Sequence, residues 1–191
     1  MYRDYSRFGN HPISKSSKFR KHAETILKAS GVLILRIKNN VIEGLICLED
    51  KEEKGPTYSF IGGRYDNKEM NSLMAAIYKF GIETNHAVEP SIIERTLEEC
   101  TFLWIKFGKY MLHVKMIDER NPEIWNIGRI FKQSPESNTM KLEWIPIEDI
   151  KSGSSNKFSV YPPGNFLSEV FHFHGFINAL YTVCGRDRYS Q

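Results

Sequence analysis

A change of hydrophobic period near residue 69 constrains this chain more than any other feature. Before it, apolar residues come in short runs that are typical of strands, such as residues 32–37. After it, apolar residues recur at the spacing of one helix face; they are Met70, Leu73, Met74, Ile77 and Phe80. Strand-like runs then return. This order predicts an α+β fold in which a mixed sheet lies between helices, as an α/β/α sandwich.

The same patterns place the individual elements. The predicted strands are residues 31–38, 41–49 and 57–63, two strands across 94–118, and residues 141–146. The predicted helices are residues 69–84 and 166–184, with a short helix ending near residue 29 and a helical turn after residue 146. Asn39 and Asn40 form the first hairpin turn, because Asn tolerates left-handed geometry. Residues 118–139 are predicted as a long polar loop.

The charge is unevenly distributed along the 191 residues. Residues 1–28 carry seven Lys and Arg against two acidic residues, a net +5, which leaves −2 for the rest of a chain of net charge +3. We therefore expect a basic arm at 1–28, one domain at 29–185 and a tail at 186–191. A basic arm suits phosphates, so Arg20 and Lys21 are candidate RNA contacts and RNA or a nucleotide is the expected ligand.

Several classes of protein do not fit the composition. No apolar run is long enough for a transmembrane helix, so no membrane partner is expected. The first ten residues lack the apolar core of a secretory signal. Cys47, Cys100 and Cys184 are odd in number and widely spaced, which indicates neither a disulfide framework nor a CxxC metal site. An intracellular, reducing compartment is expected.

Residues 62–85 resemble the Nudix box, whose pattern is G-x5-E-x7-R-E-U-x-E-E-x-G-U with U aliphatic. With one extra residue allowed after the first glutamate, the matching positions are Gly63, Glu69, Phe80 and Glu83, and Thr84 is the threonine that often follows the paired glutamates. The resemblance extends over residues 30–184. It implies a loop, a helix and a second loop that present three carboxylates to Mg²⁺ or Mn²⁺ in a pyrophosphohydrolase.

Four positions depart from the box. Tyr78 stands at the arginine, Lys79 at the following glutamate, Ile82 at the first of the paired glutamates and Asn85 at the glycine. At an effective dielectric of ~20, an ammonium ~4 Å from a divalent ion costs on the order of 8 kcal/mol. We therefore expect no metal cofactor and an ion pair between Lys79 and Glu83. Glu69 and Glu83 would be catalytic metal ligands only in an active enzyme.

Carboxylates outside the box are the other catalytic candidates. In several family members such a group acts as base or ligand, and the resemblance implies that Glu98 or Glu99 could do so here. Both are predicted at the start of a strand, where side chains alternate between faces. Only one of the two would then face the box helix.

The remaining candidates would contact phosphate or bases. Arg64 and Lys68 flank the start of the box helix, and Tyr78 and Lys79 lie on it. Trp125 lies in the predicted polar loop with Arg129 nearby, which suits base stacking. The other tryptophans and the histidines are assigned to the core or the surface; they are Trp104, Trp144, His172 and His174.

Two functions follow from these observations. The first is a Nudix-like pseudoenzyme with a degenerate box, a non-catalytic RNA- or nucleotide-binding or scaffold module with protein partners in a larger assembly. The basic arm and Lys79 favour it. The alternative is an atypical active pyrophosphohydrolase that uses Mg²⁺ or Mn²⁺, either mRNA-decapping-like or acting on nucleoside diphosphate derivatives.

Overall fold

The chain forms one seven-stranded mixed sheet with helices on both faces. A computed structural model describes residues 23–51, 55–64, 70–105, 108–152, 166–172 and 175–186. Its strands are β1 (Ala29–Lys38), β2 (Val41–Lys51), β3 (Gly55–Ser59), β4 (Ile61–Arg64), β5 (Thr101–Ile105), β6 (Tyr110–Ile117) and β7 (Thr139–Pro146). Its helices are α1 (Ser72–Glu83), α2 (Pro90–Thr96), α3 (Pro122–Trp125), α4 (Ile127–Ile130), α5 (Ile147–Ser152), α6 (Phe166–Phe171) and α7 (Phe176–Val183).

Strand β1 is the centre of the sheet. It pairs in parallel with β6 along one edge and antiparallel with β2 and β4 along the other. Its run from Val32 to Leu35 is fully buried because both faces of the strand are covered by helices. The hairpin to β2 turns at Asn39 and Asn40, whose φ angles of 49° and 66° are the left-handed geometry predicted for them.

Strands β3 and β4 fill the gap where β1 and β2 diverge. β3 pairs with β2 and β4 pairs with β1, and the chain passes from one to the other at Phe60. The single strand predicted for residues 57–63 is therefore two strands. On its other edge β2 pairs with β7, and β5 closes the sheet beside β6.

Alternation along β1 divides the core into two layers. Val32 and Ile34 pack with α1 to α4 on one face, whereas Leu33 and Leu35 pack with α5 to α7 on the other. The first layer includes Phe80 of α1, and the second is rich in aromatic rings: Phe60, Phe171 and Phe176. The predicted α/β/α sandwich is confirmed.

Three local predictions differ from the structure. Residues 90–96 form α2 instead of a loop at Pro90 and the start of a strand at residue 94, because Pro90 starts a helix well and Ile93 packs inward from it. The predicted loop at 118–139 contains α3 and α4, which bury Ile124 and Ile127. The predicted C-terminal helix is two helices, α6 and α7, and Gly175 with φ 100° begins the second.

No helix in the described ranges is long and apolar enough to cross a membrane. The boundaries expected for the arm and the tail fall largely outside these ranges. Residues 23–26, at the end of the expected arm, are helical, in line with the short helix predicted before β1.

The close approach of β1 and β4 depends on two glycines. A Cβ at Gly62 would lie 2.5 Å from the Cα of Gly31 and 2.6 Å from the Tyr110 hydroxyl, and it would overlap the Ser30 carbonyl. A Cβ at Gly31 would overlap the same hydroxyl. Tyr110 therefore fills the space that the missing side chains leave, and β4 can lie directly against β1.

We predict that Gly62→Ala destabilises the fold by about 2–3 kcal/mol, because backbone atoms on β1 must move to admit the methyl group. Gly63→Ala is the matched control, since its Cβ would meet only Lys79 at 3.7 Å or more. We expect that control to change stability by less than about 0.5 kcal/mol. Urea denaturation of both variants measures the difference. Equal stability would show that β4 does not depend on this contact.

Candidate functional site

The start of α1 is fixed from two sides. The Asn71 side chain accepts a hydrogen bond from the Met74 amide at 2.9 Å, which is the usual N-cap. The Ser72 amide donates to the Glu24 carboxylate at 2.9 Å, and the Ser30 hydroxyl donates to the Ser72 carbonyl at 2.6 Å. Glu24 thus takes the anion position at the helix N-terminus and joins the end of the expected arm to α1.

Lys79 lies across the end of β4. A Cβ built on Gly63 would be 3.7, 3.8 and 4.0 Å from the Lys79 Cδ, Cε and Nζ atoms, so the half-buried side chain runs over this glycine. No ion pair within the described ranges involves Lys79. The expected pair with Glu83 is therefore wrong. The ammonium is positioned by packing on the glycine backbone instead of by a partner carboxylate.

Glu83 is instead bound to the start of β7. Its Oε2 accepts hydrogen bonds from the Thr139 hydroxyl at 2.6 Å and the Ser137 hydroxyl at 3.2 Å. Thr139 is fully buried, and the Ser137 hydroxyl also accepts from the Thr139 amide at 3.1 Å. This arrangement satisfies the carboxylate with neutral donors and turns it towards β7, one turn of helix beyond Lys79.

Cys47 of β2 lies close enough to the Glu83 carboxylate for its charge to act on the thiol. Burial raises the pKa of the Cys47 thiol well above its ordinary value, and the negative charges of Glu49 and Glu83 raise it further. The neutral thiol donates to the Ser59 carbonyl at 3.2 Å. Glu49 is itself paired with Lys51 at 3.3 Å. The sulfur is therefore a protonated, buried hydrogen-bond donor in this structure.

The described residues of the site do not fit a divalent cation held by carboxylates. No group of three or more His, Cys, Asp or Glu within the described ranges could hold a metal ion. Lys79 brings positive charge to the place where the resemblance implies a ligand, and Glu83 is engaged by hydroxyl donors. Among these described residues, Mg²⁺ would find too few hard oxygen ligands to offset the ammonium.

The outer face of α1 is open to solvent. Tyr78 is 56% exposed and Met74, one turn earlier, is 52% exposed. Arg64 is exposed at the end of β4, opposite Ala29. Like Lys79, Arg64 takes part in no ion pair in the part of the chain that the structure describes. The outer face of α1 therefore carries an exposed aromatic ring, and the end of β4 carries an exposed cation.

Glu98 and Glu99 do not lie in a strand, which corrects the prediction for them. Both are exposed in the turn after α2, and β5 begins only at Thr101. Glu99 has a φ of 56°, and the Glu98 carbonyl accepts a hydrogen bond from the Lys115 ammonium at 2.9 Å. Neither belongs to a metal-binding group with Glu83. Strand alternation could not have placed them, since the local fold is a helix followed by a turn.

Trp125 and Arg129 lie on α3 and α4, two short helices within the region predicted as an open loop. The Trp125 ring is half-buried against Arg36, whose Cζ atom lies 4.9 Å from the ring centroid. Arg36 also lies 4.2 Å from the Trp144 centroid and is bonded to Glu43 at 2.7 Å. One face of Trp125 is therefore occupied by this buried cation.

The segment after α4 nevertheless approaches the box helix. The Asn85 side chain, just beyond the end of α1, donates to the Lys132 carbonyl at 3.1 Å. Arg129 is exposed one turn before that contact. Base stacking by Trp125 and phosphate contact by Arg129 stay predictions.

Some sequence candidates lie outside the described residues; they are Arg20, Lys21, Lys68, Glu69 and His174. Sequence reasoning missed Glu24, Cys47 and Thr139, which surround the two ends of α1. Single polar residues in strands or arms carry no periodic signal. Only the strand pairing that brings β7 beside β2 reveals Thr139 as the partner of Glu83.

Comparison with known proteins adds a fold-level result. No family model and no curated protein matches the chain. Among solved structures, a C. elegans Ap4A hydrolase matches with 19% identity over 71% of this chain and 92% of that chain, at a TM-score of 0.41. The Nudix hydrolase RenU from M. smegmatis matches with 12% identity over 71% and 80%, at a TM-score of 0.42.

A T. brucei MERS1–RNA complex matches with 15% identity over 77% of this chain and 63% of that chain, at a TM-score of 0.39. The resemblance to Nudix proteins is thus one of fold. The chemistry of the site has to be argued from this chain's own residues.

We predict that Lys79→Glu with Ile82→Glu creates a Mg²⁺ or Mn²⁺ site, because two new carboxylates would join Glu83 on neighbouring positions of α1. Titration calorimetry measures the gain. The control pair Met74→Glu and Tyr78→Glu adds carboxylates on the outer face of the same helix and should create no site. If the first pair gains no metal affinity, the alignment to the box is wrong.

Proposed function

We propose that this chain is a non-catalytic, Nudix-like module that binds RNA or a nucleotide through its phosphates without a divalent cation. The observation that carries the proposal is the position of Lys79, whose ammonium lies over Gly63 with no ion pair in the described ranges. A positive charge fixed at this place can neutralise a phosphate directly. The described residues offer no comparable support for a metal.

The surroundings of Lys79 favour an anionic ligand over a structural role. The Lys79 side chain is half-buried over Gly63, and no described carboxylate pairs with its ammonium, so the charge is available to an anionic ligand. Arg64 is exposed at the end of β4, next to Gly63 in the sequence, and supplies a second cation. It too has no ion pair among the described residues. Glu83 would repel an anion, but its charge is turned towards the hydroxyls of Thr139 and Ser137.

The basic arm extends this interpretation to RNA. Its last described residues are held beside the box helix by the contact between Glu24 and Ser72. The seven Lys and Arg of residues 1–28 therefore join the domain next to the N-terminal end of α1. Cations from the arm and from the box can then neutralise successive phosphates of one polyanion.

We place the module in a larger assembly with protein partners, in a reducing intracellular compartment. No disulfide joins Cys47, Cys100 and Cys184, which fits a reducing setting. We infer the protein partners from the scaffold role alone, and we assign no surface of this chain to them.

We predict no turnover with Mg²⁺ or Mn²⁺ on capped RNA, nucleoside diphosphate derivatives or dinucleoside polyphosphates, because the helix offers too few metal ligands. A chromatographic assay of each substrate measures it, and Glu83→Ala tests any signal that does appear. Turnover that is abolished in Glu83→Ala would show an active pyrophosphohydrolase and overturn this proposal.

We predict that short single-stranded RNA binds equally well in Mg²⁺ and in EDTA. Lys79→Met should weaken binding about tenfold, the effect of removing one charged hydrogen bond. Lys38→Met is the matched control, because this exposed lysine lies at the opposite end of β1 from Arg64. Fluorescence anisotropy measures both variants. Binding that requires Mg²⁺ would contradict the role of Lys79.

We predict that removing residues 1–22 weakens RNA binding and flattens its dependence on salt. The log–log slope should fall by about 0.7 for each phosphate that the arm no longer neutralises. The truncation keeps Glu24 and its hydrogen bond with Ser72. A full-length variant with every Lys and Arg of residues 1–22 changed to Gln is the control for length. An unchanged slope would reassign the arm to protein contacts.

A further inference from the structure

The outer face of α1 carries an apolar surface that the fold does not cover. Tyr78 and Met74 are the two large hydrophobic residues of the described ranges with more than half of their surface exposed. They are four positions apart on one helix and therefore adjacent. Exposed aromatic and methionine side chains side by side are typical of a binding surface.

Tyr78 has no partner within the described part of the chain. It makes no ring contact, hydrogen bond or ion pair there, whereas the buried rings of Phe60, Phe171 and Phe176 pack on one another. Tyr58 also differs, because its hydroxyl donates to Glu143 at 2.5 Å. Among the described residues, neither a ring contact nor a hydrogen bond explains an aromatic residue at this exposed position.

The neighbour of Tyr78 limits what can cover it. Lys79 follows directly in sequence, and its ammonium is unpaired in the described ranges. A purely apolar partner helix would cover Tyr78 and Met74 but leave this charge unneutralised. A nucleotide offers a flat π-face and a phosphate in one molecule, which complements the ring and the ammonium together.

We propose that Tyr78 and Met74 form a stacking platform for one unpaired base whose phosphate contacts Lys79. This inference rests on the proposed function and deepens it, because it assigns the ligand as a nucleotide or single-stranded RNA instead of an inorganic polyphosphate. Tyr78 supplies the ring face, and the flexible Met74 side chain adapts to the edge of the base. Such stacking tolerates different bases and gives little sequence preference.

The test compares ligands with and without a base. Titration calorimetry in EDTA measures ADP, UDP and inorganic pyrophosphate against the full chain and its variants. Tyr78→Leu should weaken ADP and UDP about tenfold and leave pyrophosphate unchanged, whereas Tyr78→Phe should bind like the natural protein. Ile130→Ala, which removes another exposed hydrophobic side chain, is the control.

The outcomes separate this inference from the proposed function. If Lys79→Met weakens every ligand and Tyr78→Leu changes none, the platform is wrong while the phosphate site stands, and the face is left for a protein partner. If neither nucleotides nor pyrophosphate bind, both proposals fall. If Tyr78→Leu weakens pyrophosphate as much as ADP, the residue acts through the helix instead of the base, which also overturns the platform.

Discussion

The contact of β4 with β1 is the constraint on which the rest of the site depends. Gly62 lies against the backbone of Ser30 and Gly31, and the Tyr110 hydroxyl fills the remaining space. That contact fixes where β4 ends and therefore where Gly63 stands beneath Lys79. Ser30 on the same strand also holds the first turn of α1 through the Ser72 carbonyl. One short strand pair thus positions both the backbone and the helix of the site.

The sequence predicted the strands, turns and helices that have a regular spacing of apolar residues or a characteristic turn residue. The buried run of β1, the Asn39–Asn40 turn, the helical face ending at Phe80 and the strand before α5 all appear in the structure. Sequence patterns predicted the wrong element where packing in the core determines whether a segment forms a strand or a helix. The pattern of residues 94–99 predicts a strand, but Ile93 and Leu97 are buried from a helix and its cap.

The candidate site was predictable only in part. The spacing of Gly63, Lys79 and Glu83 located the segment, but the partner of each side chain depends on strands far away in the chain. Opposite charges at i and i+4 predict an ion pair, and Glu83 instead accepts from Thr139 across the fold. Hydrogen bonds from two hydroxyl groups satisfy the Glu83 carboxylate. They cost less side-chain entropy than an ion pair that would immobilise the long side chain of Lys79.

A lysine in place of a metal ligand changes what such a helix can do. A divalent cation acts as a Lewis acid and activates water, whereas an ammonium only neutralises charge and donates hydrogen bonds. In the proposed function, the phosphate affinity does not vary with metal concentration and responds to salt instead. The presence of Glu83 fits this change: bound to β7, it anchors the C-terminal turn of α1 and so keeps Lys79 over Gly63. In the proposed function, the helix that the resemblance assigns to hydrolysis holds a phosphate in place.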